Sequence, residues 1–185
     1  FLADGMAVLF TDVNREDGER TLGDLRATPE QVIFSHGNVR DPAHSDAVAR
    51  AAVQRWGRID VLVANAGVQT PGRLVDCTDD ELKTVLDINL LGVARICRAA
   101  LPSMIEGRKG SVVAISSINA LVGFPGMAAY DASKAAVIAS IAGCASRSAR
   151  PAWISARASR WPASAARSAW TPAIRSCRDS GSLKT

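Results

Sequence analysis

Residues 59–67, IDVLVANAG, give the clearest indication of the fold. A short, nearly continuous apolar run of this kind is typical of a strand buried on both faces of a parallel sheet. The run ends at Asn65-Ala66-Gly67, where asparagine and glycine both tolerate the backbone conformations of a tight turn. Runs of the same character are MAVLFT at residues 6–11, QVIFS at 31–35 and SVVAIS at 111–116. These four runs are predicted to be strands of a parallel sheet.

Helices are predicted between the strands. Residues 42–56 place apolar side chains on one face, and Gly57 then supplies a helix stop. Thr78 and Glu81 have the spacing of a capping box, and they begin a longer helix that is predicted to run to Pro102. Strands separated by helices predict an α/β fold, a doubly wound parallel sheet with helices on both faces.

The composition predicts one soluble domain. The chain has 185 residues, of which 48% are hydrophobic, which is enough for a substantial core. No apolar run approaches the roughly 20 residues that span a bilayer, and the first residues, FLADGMAVLF, lack the features of a secretory signal. We expect a cytoplasmic protein without a zinc site or disulfide framework, because its four cysteines form no C-x-x-C pair and only two histidines accompany them.

The residues that follow each strand are the candidates for ligand binding, because doubly wound sheets bind ligands beyond the carboxyl ends of their strands. These residues are Asp12, Asn38, Val39, Asn65, Ala66, Gly67 and Ser117. An acidic residue at the end of a strand can accept hydrogen bonds from a ribose 2′-hydroxyl and repel a 2′-phosphate, so Asp12 favours NAD over NADP. Alternatively, Asp12 only begins a turn with Asn14. Arg15 is close enough in sequence to be a phosphate partner.

The single tyrosine of the chain, Tyr130, precedes Lys134 by four residues, so the two side chains share one face if this segment is helical. A positive charge near a phenol stabilises the phenolate and moves the phenol toward the range useful for general acid/base catalysis. Such a phenol could protonate a carbonyl that is being reduced. The alternative is a surface tyrosine with a lysine neighbour.

Four segments resemble one family when they are taken in order: RWGRIDVLVANAG at 55–67, LDINLLGV at 86–93, GSVVAISS at 110–117 and AAYDASKAAV at 128–137. Together they resemble the short-chain dehydrogenase/reductase family, in particular its compact single-domain branch. The resemblance runs through most of residues 1–140.

The resemblance implies a role for four residues. Tyr130 would be the general acid/base, and Lys134 would favour its phenolate and hold the nicotinamide ribose. Ser117 would donate a hydrogen bond to the substrate oxygen, although Ser116 beside it is a competitor. Asn89 would sustain a water relay within the long helix.

The resemblance also implies cofactor and partners. Asn38 and Val39 stand where the family contacts adenine, and Asn65, Ala66 and Gly67 form its strand-end turn. The expected cofactor is NAD, with NADP less favoured, and the expected substrate is a small alcohol or carbonyl compound. Family members also suggest a homo-oligomer, and neither nucleic acid nor a membrane is an expected partner.

Two departures from the family pattern are expected to matter. The first five residues, FLADG, read as the last turn of the family's first helix with Gly5 as its C-cap, so the first strand and its glycine-rich phosphate loop are absent from the sequence. Residues 1–140 therefore predict a partial Rossmann-like domain, and these 185 residues by themselves are expected to be inactive.

The second departure is the segment at residues 141–185, which is rich in Arg, Ala, Ser and Trp. It carries 8 basic residues against Asp179 alone, whereas residues 1–140 carry 14 basic and 17 acidic ones. No strand or helix period runs through it, so a reading-frame error is our hypothesis. Three alternatives stay open: a non-catalytic dinucleotide-binding protein, an inactive gene fragment, and a nucleic-acid binder that uses the basic tail.

Overall fold

The structure is a computed structural model that describes residues 1–144. The predicted aberrant tail, residues 141–185, lies outside this range except for the end of one helix. The frameshift and nucleic-acid hypotheses therefore concern residues that the structure does not describe.

All four predicted strands are present, with ends that differ from the prediction by at most two residues. They are β1 (Val8–Asp12), β2 (Val32–His36), β3 (Val61–Ala64) and β4 (Ser111–Ala114). β1 pairs with β2 and β3 pairs with β4, both in parallel register. Within the described residues, β1 and β3 each pair on one edge alone, so the parallel sheet consists of two separate two-stranded parts.

The predicted helix at 42–56 is confirmed as α2 (Pro42–Trp56). Asp41 caps its first turn by accepting a hydrogen bond from Ala43 N, and Gly57 ends it in the left-handed conformation at φ 80°. A helical turn also precedes β1, since Leu2–Asp4 form a 3₁₀ helix that ends at Gly5 with φ 75°. Both helix stops occur at the glycines that the sequence indicated.

One α-helix among the described residues was not predicted. α1 (Arg15–Asp24) has the sequence REDGERTLGD, which offers one large apolar residue and therefore no periodic apolar face. It packs on β2 through a glycine instead, because a Cβ atom at Gly18 would lie 2.0 Å from the Phe34 ring. The backbone of α1 at Gly18 therefore packs directly on the Phe34 ring, without a periodic apolar face on the helix.

The long helix begins at the predicted capping box, in which Thr78 Oγ1 accepts a hydrogen bond from Glu81 N and Glu81 accepts one from Thr78 N. It consists of α3 (Asp79–Leu86), a π-helical segment (Asp87–Leu91) and α4 (Gly92–Glu106). The predicted end at Pro102 is wrong, because α4 continues through this proline. Proline removes one donor from the helix, and Arg98, whose carbonyl loses that donor, is exposed to water.

By length and hydropathy alone, the stretch Asp79–Glu106 is the one described helix that could span a membrane. Core helices of soluble proteins meet the same criterion, and this stretch packs against α2, β3 and the last helix, α5 (Ala128–Cys144). Its composition is therefore consistent with a core helix.

The largest core cluster lies between β3, β4, α4 and α5. Its buried members are Ala64, Val93, Cys97, Met104, Val112, Val137 and Ile141. The β1–β2 part joins this core mainly through contacts between α2 and α4. The carboxyl ends of β3 and β4 and the first turn of α5 are thus positioned by the same core.

Candidate active site

A cavity of about 240 Å³ lies beyond the carboxyl ends of β3 and β4, against the first turn of α5. Its walls are formed by Asn65, Gly67, Val68, Gln69, Ile115, Ser116, Tyr130 and Lys134. The turn after β3 and the predicted tyrosine–lysine pair therefore face one space.

Tyr130 and Lys134 lie one turn apart in α5, as the spacing predicts. Lys134 Nζ is 5.6 Å from the centroid of the Tyr130 ring and donates a hydrogen bond to the Ile115 carbonyl at 2.9 Å. Only 4% of the lysine is exposed, and this burial lowers the pKa of Lys134 because it disfavours the charged form. The ammonium group is thus fixed between the phenol ring and a backbone carbonyl.

The π-helical segment places Asn89 completely inside the molecule, with 0% of it exposed. Its Oδ1 accepts a hydrogen bond from Val68 N at 2.8 Å, and its Nδ2 donates to Val68 O at 2.9 Å and to Ser133 Oγ at 2.9 Å. The side chain therefore clamps the loop after β3 on one side and contacts α5 on the other.

The Asn65-Ala66-Gly67 turn lies between these groups. A Cβ atom at Gly67 would be 3.2 Å from Lys134 Nζ and 3.3 Å from Asn89 Oδ1, which is tight for a side chain. Glycine keeps the backbone of the turn close to the lysine and leaves the cavity open. Asn65 lines the cavity, whereas the exposed Ala66 does not.

The two candidate serines differ in position. Ser116 lines the cavity, but its hydroxyl donates to the Lys134 carbonyl at 2.9 Å. Ser117 is not among the cavity-lining residues and caps the 3₁₀ helix Ile118–Ala120, where its Oγ contacts Asn119 N and Asn119 Oδ1 at 3.2 Å each. The sequence preference for Ser117 is thus not reproduced as a contact with the cavity.

Asp12, Asn38 and Val39 lie apart from this cavity, at and beyond the carboxyl ends of β1 and β2. Asp12 Oδ1 accepts a hydrogen bond from Asn14 N at 2.7 Å, which is the predicted turn contact. Asn38 Oδ1 accepts one from Arg40 N at 2.9 Å. Val39 packs over Gly92, where a Cβ atom would lie 3.0 Å from Val39 Cγ2. A ligand would have to extend from one group of residues to the other to contact both.

Sequence reasoning missed Ser133 and Asp131, which lie between the residues of the tyrosine–lysine pair. Asp131 accepts hydrogen bonds from Asn119 Nδ2 and Phe124 N, both at 2.8 Å, and so holds the loop between β4 and α5. The one sequence signal for Asp131 is its place in the first turn of a helix. The helix dipole alone accounts for an acidic residue there, so this signal does not indicate a contact with the loop.

Comparison with known proteins gives a consistent result. The family model for short chain dehydrogenase matches residues 1–154. The 3-oxoacyl-(acyl-carrier-protein) reductase FabG of Thermotoga maritima is 36% identical over 138 residues, which cover 75% of this chain and 56% of that protein. The chain thus spans about half the length of the curated relatives that it matches.

Solved structures agree. A short-chain dehydrogenase from Streptomyces avermitilis superposes with a TM-score of 0.76 at 34% identity, covering 84% of this chain and 56% of the other. A short-chain dehydrogenase/reductase from Burkholderia phymatum in complex with NAD has a TM-score of 0.75 at 26% identity, covering 97% and 72%. A further similar structure, ElxO, has NADP bound.

Proposed function

Because this chain belongs to the short-chain dehydrogenase/reductase family, we propose that residues 1–140 carry the catalytic face of an oxidoreductase. The reaction is the interconversion of an alcohol and a carbonyl compound with NAD(H). The observation that carries this proposal is the nearly buried Lys134 beside Tyr130, on the wall of a cavity beyond a parallel sheet.

The proposed chemistry divides between cofactor and protein. When bound, the nicotinamide supplies or accepts the hydride. Tyr130 transfers the proton at the substrate oxygen, and Lys134 favours the phenolate through its charge. Ser117, which the family resemblance implies for this role although it does not line the cavity, would exchange its contacts with Asn119 for a hydrogen bond to the same oxygen. Asn89 holds the loop after β3 in place, and the water relay that the family resemblance implies for it belongs to this proposal.

The residues at the cavity fit a nicotinamide nucleotide. Gly67 keeps the turn free of a side chain where a Cβ atom would approach Lys134 Nζ, and a donor such as Lys134 suits a ribose hydroxyl. Family members use NAD or NADP. We propose NAD here because Asp12 ends β1 with its carboxylate exposed, whereas Arg15 is engaged with Glu19 at 3.5 Å and lies 3.2 Å from His36 Nδ1.

The substrate is proposed to be an uncharged or partly hydrophobic small molecule. Family members act on small molecules, and the segment between Ser117 and Tyr130 leaves large apolar side chains exposed, with Ile118 and Phe124 both 46% accessible. The cytoplasmic location and the homo-oligomer that the family suggests are part of the same proposal.

A chimera tests the proposal. Residues 1–140 replace the matching segment of the Thermotoga maritima reductase, so all four candidate catalytic residues come from this chain. We expect NAD-linked turnover with secondary alcohols or ketones. Tyr130→Phe should lower kcat by about 10²-fold or more, the usual cost of losing a general acid, while the Kd for NAD stays nearly unchanged.

The alternative is a dinucleotide-binding protein of the same fold without catalysis. It predicts saturable NAD binding by the chimera but no turnover that depends on Tyr130. A turnover that survives Tyr130→Phe would contradict the proposed mechanism. Ser140→Ala, an exposed serine in the same helix, is the matched control that should leave kcat unchanged.

A further inference from the structure

A buried chain of hydrogen bonds connects the loop after β3 with the first turn of α5. Asn89 Nδ2 donates to Val68 O and to Ser133 Oγ, both at 2.9 Å, and Ser133 Oγ donates to Tyr130 O at 2.7 Å. Asn89 and Ser133 are both 0% exposed. Water therefore cannot replace either partner without an opening of the structure.

The two donor hydrogens of the Asn89 amide are both used in this chain, one by Val68 O and one by Ser133 Oγ. Ser133 accepts with its oxygen and donates with its single proton, so among residues 1–144 it is the side chain that joins Asn89 to the backbone of Tyr130. Removing its hydroxyl would leave a buried N–H of Asn89 without an acceptor, which is costly.

We propose that Ser133 is a positioning residue that fixes the distance between the cofactor-facing loop and Tyr130. Val68 and Tyr130 both line the cavity, and Asn89 with Ser133 links them through hydrogen bonds. The catalytic part of this inference rests on the proposed function. Ser133 touches neither the cavity nor the reacting atoms, so it acts through Tyr130.

Helical serines commonly donate to a carbonyl in the preceding turn, so a local hydrogen bond alone would not support this role. Ser140 in α5 is such a case, with its hydroxyl bound to Ala136 O at 2.8 Å and its side chain exposed. Ser133 differs because it also accepts a hydrogen bond from another helical segment. Ser140→Ala is thus a matched control for Ser133→Ala.

Hydrogen exchange at the Val68 amide tests the link in the 185-residue chain without any activity measurement. Val68 is 39% exposed, and its N–H donates to Asn89 Oδ1, so its protection reports the position of Asn89. We expect Ser133→Ala to accelerate exchange at Val68 at least tenfold while the amides of β4 keep their rates. Ser133→Cys, which is slightly larger than serine but hydrogen-bonds only weakly, should behave like Ser133→Ala.

Three exchange results would overturn the proposal. One is an unprotected Val68 amide in the wild-type chain. Another is an unchanged Val68 rate in Ser133→Ala. The last is equal acceleration at Val68 and throughout β4, which would show that Ser133 only contributes to general stability. Ser140→Ala should alter none of these rates.

The catalytic consequence is measured in the chimera. Ser133→Ala should lower kcat at least fivefold with a smaller change in the Kd for NAD, because the phenol loses its fixed distance from the loop after β3 while the nucleotide keeps its contacts outside that loop. An active chimera whose kcat is unaffected by Ser133→Ala would overturn the positioning role. A chimera without turnover would instead contradict the proposed function, and the exchange result at Val68 would still decide whether Ser133 makes the link.

Discussion

Lys134 combines deep burial with a positive charge, and this combination is unfavourable for stability. Burial lowers its pKa, so at neutral pH the folded protein holds an ammonium group in an environment that disfavours it. The carbonyl that it binds belongs to Ile115, a residue that is 39% exposed. Titratable groups with a perturbed pKa cluster at functional sites.

We therefore predict that Lys134→Met stabilises the chimera at neutral pH, by about 1 kcal/mol as for other buried charges replaced by apolar side chains. As the pH rises above the lowered pKa of folded Lys134, the folded protein loses this proton before the unfolded chain does. The wild type then gains stability up to the ordinary lysine pKa of about 10.4. Urea unfolding should therefore show a smaller difference in the free energy of unfolding between Lys134→Met and the wild type near pH 10 than at neutral pH. A larger difference near pH 10 would contradict the assigned pKa direction.

Ser116 and Ser117 differ in how firmly their hydroxyl groups are bound within the protein. The hydroxyl of Ser116 is committed to a backbone carbonyl of α5, whereas the two contacts of Ser117 with Asn119 are long, at 3.2 Å, and can be exchanged for a substrate oxygen. We predict that Ser117→Ala lowers kcat in the chimera by about tenfold or more, and that Ser116→Ala has the smaller effect. The reverse order would assign the substrate contact to Ser116.

The carboxylate of Asp12 is expected to set the preference for NAD over NADP. Its Oδ1 is used by Asn14 N, but its other oxygen makes no hydrogen bond within the described residues and can accept one from a ribose hydroxyl. The chimera should have a higher kcat/KM with NAD than with NADP, because the carboxylate repels a 2′-phosphate. Asp12→Ala should reduce this preference. A preference of the unmodified chimera for NADP would refute the role given to Asp12.

At the scale of single elements, the two glycines of α1 have opposite roles. A Cβ atom at Gly18 would lie 2.0 Å from the Phe34 ring, which stacks on Phe10, whereas nothing lies within 4 Å of one at Gly23. We predict that Gly18→Ala destabilises the chimera by about 1–3 kcal/mol through overpacking. Gly23→Ala, the matched control, should stabilise it by up to about 1 kcal/mol. Similar effects at both positions would show that α1 does not pack on β2 in this way.

The elements that the sequence predicts correctly are those whose signal is local. The four apolar runs, the helix stop at Gly57 and the capping box at Thr78 each depend on neighbouring residues, and each is confirmed. α1 and the π-helical segment depend on distant partners, namely Phe34 for Gly18, and Val68 and Ser133 for Asn89. None of these three partners is visible in the local pattern.

The same distinction applies to the site. The spacing of Tyr130 and Lys134 predicts that they are neighbours, because one helical turn relates them. The burial of Lys134 and its bond to Ile115 O arise where α5 meets the end of β4, and no spacing within α5 predicts that contact. Ser133 lies inside the segment AAYDASKAAV at 128–137, but its partner Asn89 is 44 residues away in sequence.

At the scale of the whole molecule, the two parts of the sheet are unequally supported. The main core cluster is drawn from β3, β4, α4 and α5, and the β1–β2 part is attached through α2 and through an ion pair of Arg40 with Asp87 at 2.8 Å. One edge of β1 and one edge of β3 have no strand partner within the described residues. In the strand order of a doubly wound sheet, one further strand would lie between them.

This arrangement predicts the behaviour of residues 1–185 as an isolated polypeptide. Each edge amide or carbonyl that is buried without a partner costs about 1–3 kcal/mol, against a total stability of about 5–15 kcal/mol for an ordinary domain. We therefore expect a broad unfolding transition, in which amides of the β1–β2 part exchange before those of β3 and β4. Residues 1–7, which lead into β1, contain Gly5 alone and offer no glycine-rich loop to a pyrophosphate when residues 1–185 are tested by themselves. Isothermal titration of the isolated polypeptide should show no saturable NAD binding at millimolar concentration, and the polypeptide should not oxidise secondary alcohols. The chimera should bind NAD and oxidise secondary alcohols. A single cooperative melt together with micromolar NAD binding by the isolated polypeptide would show that these residues build a complete nucleotide site without a further strand.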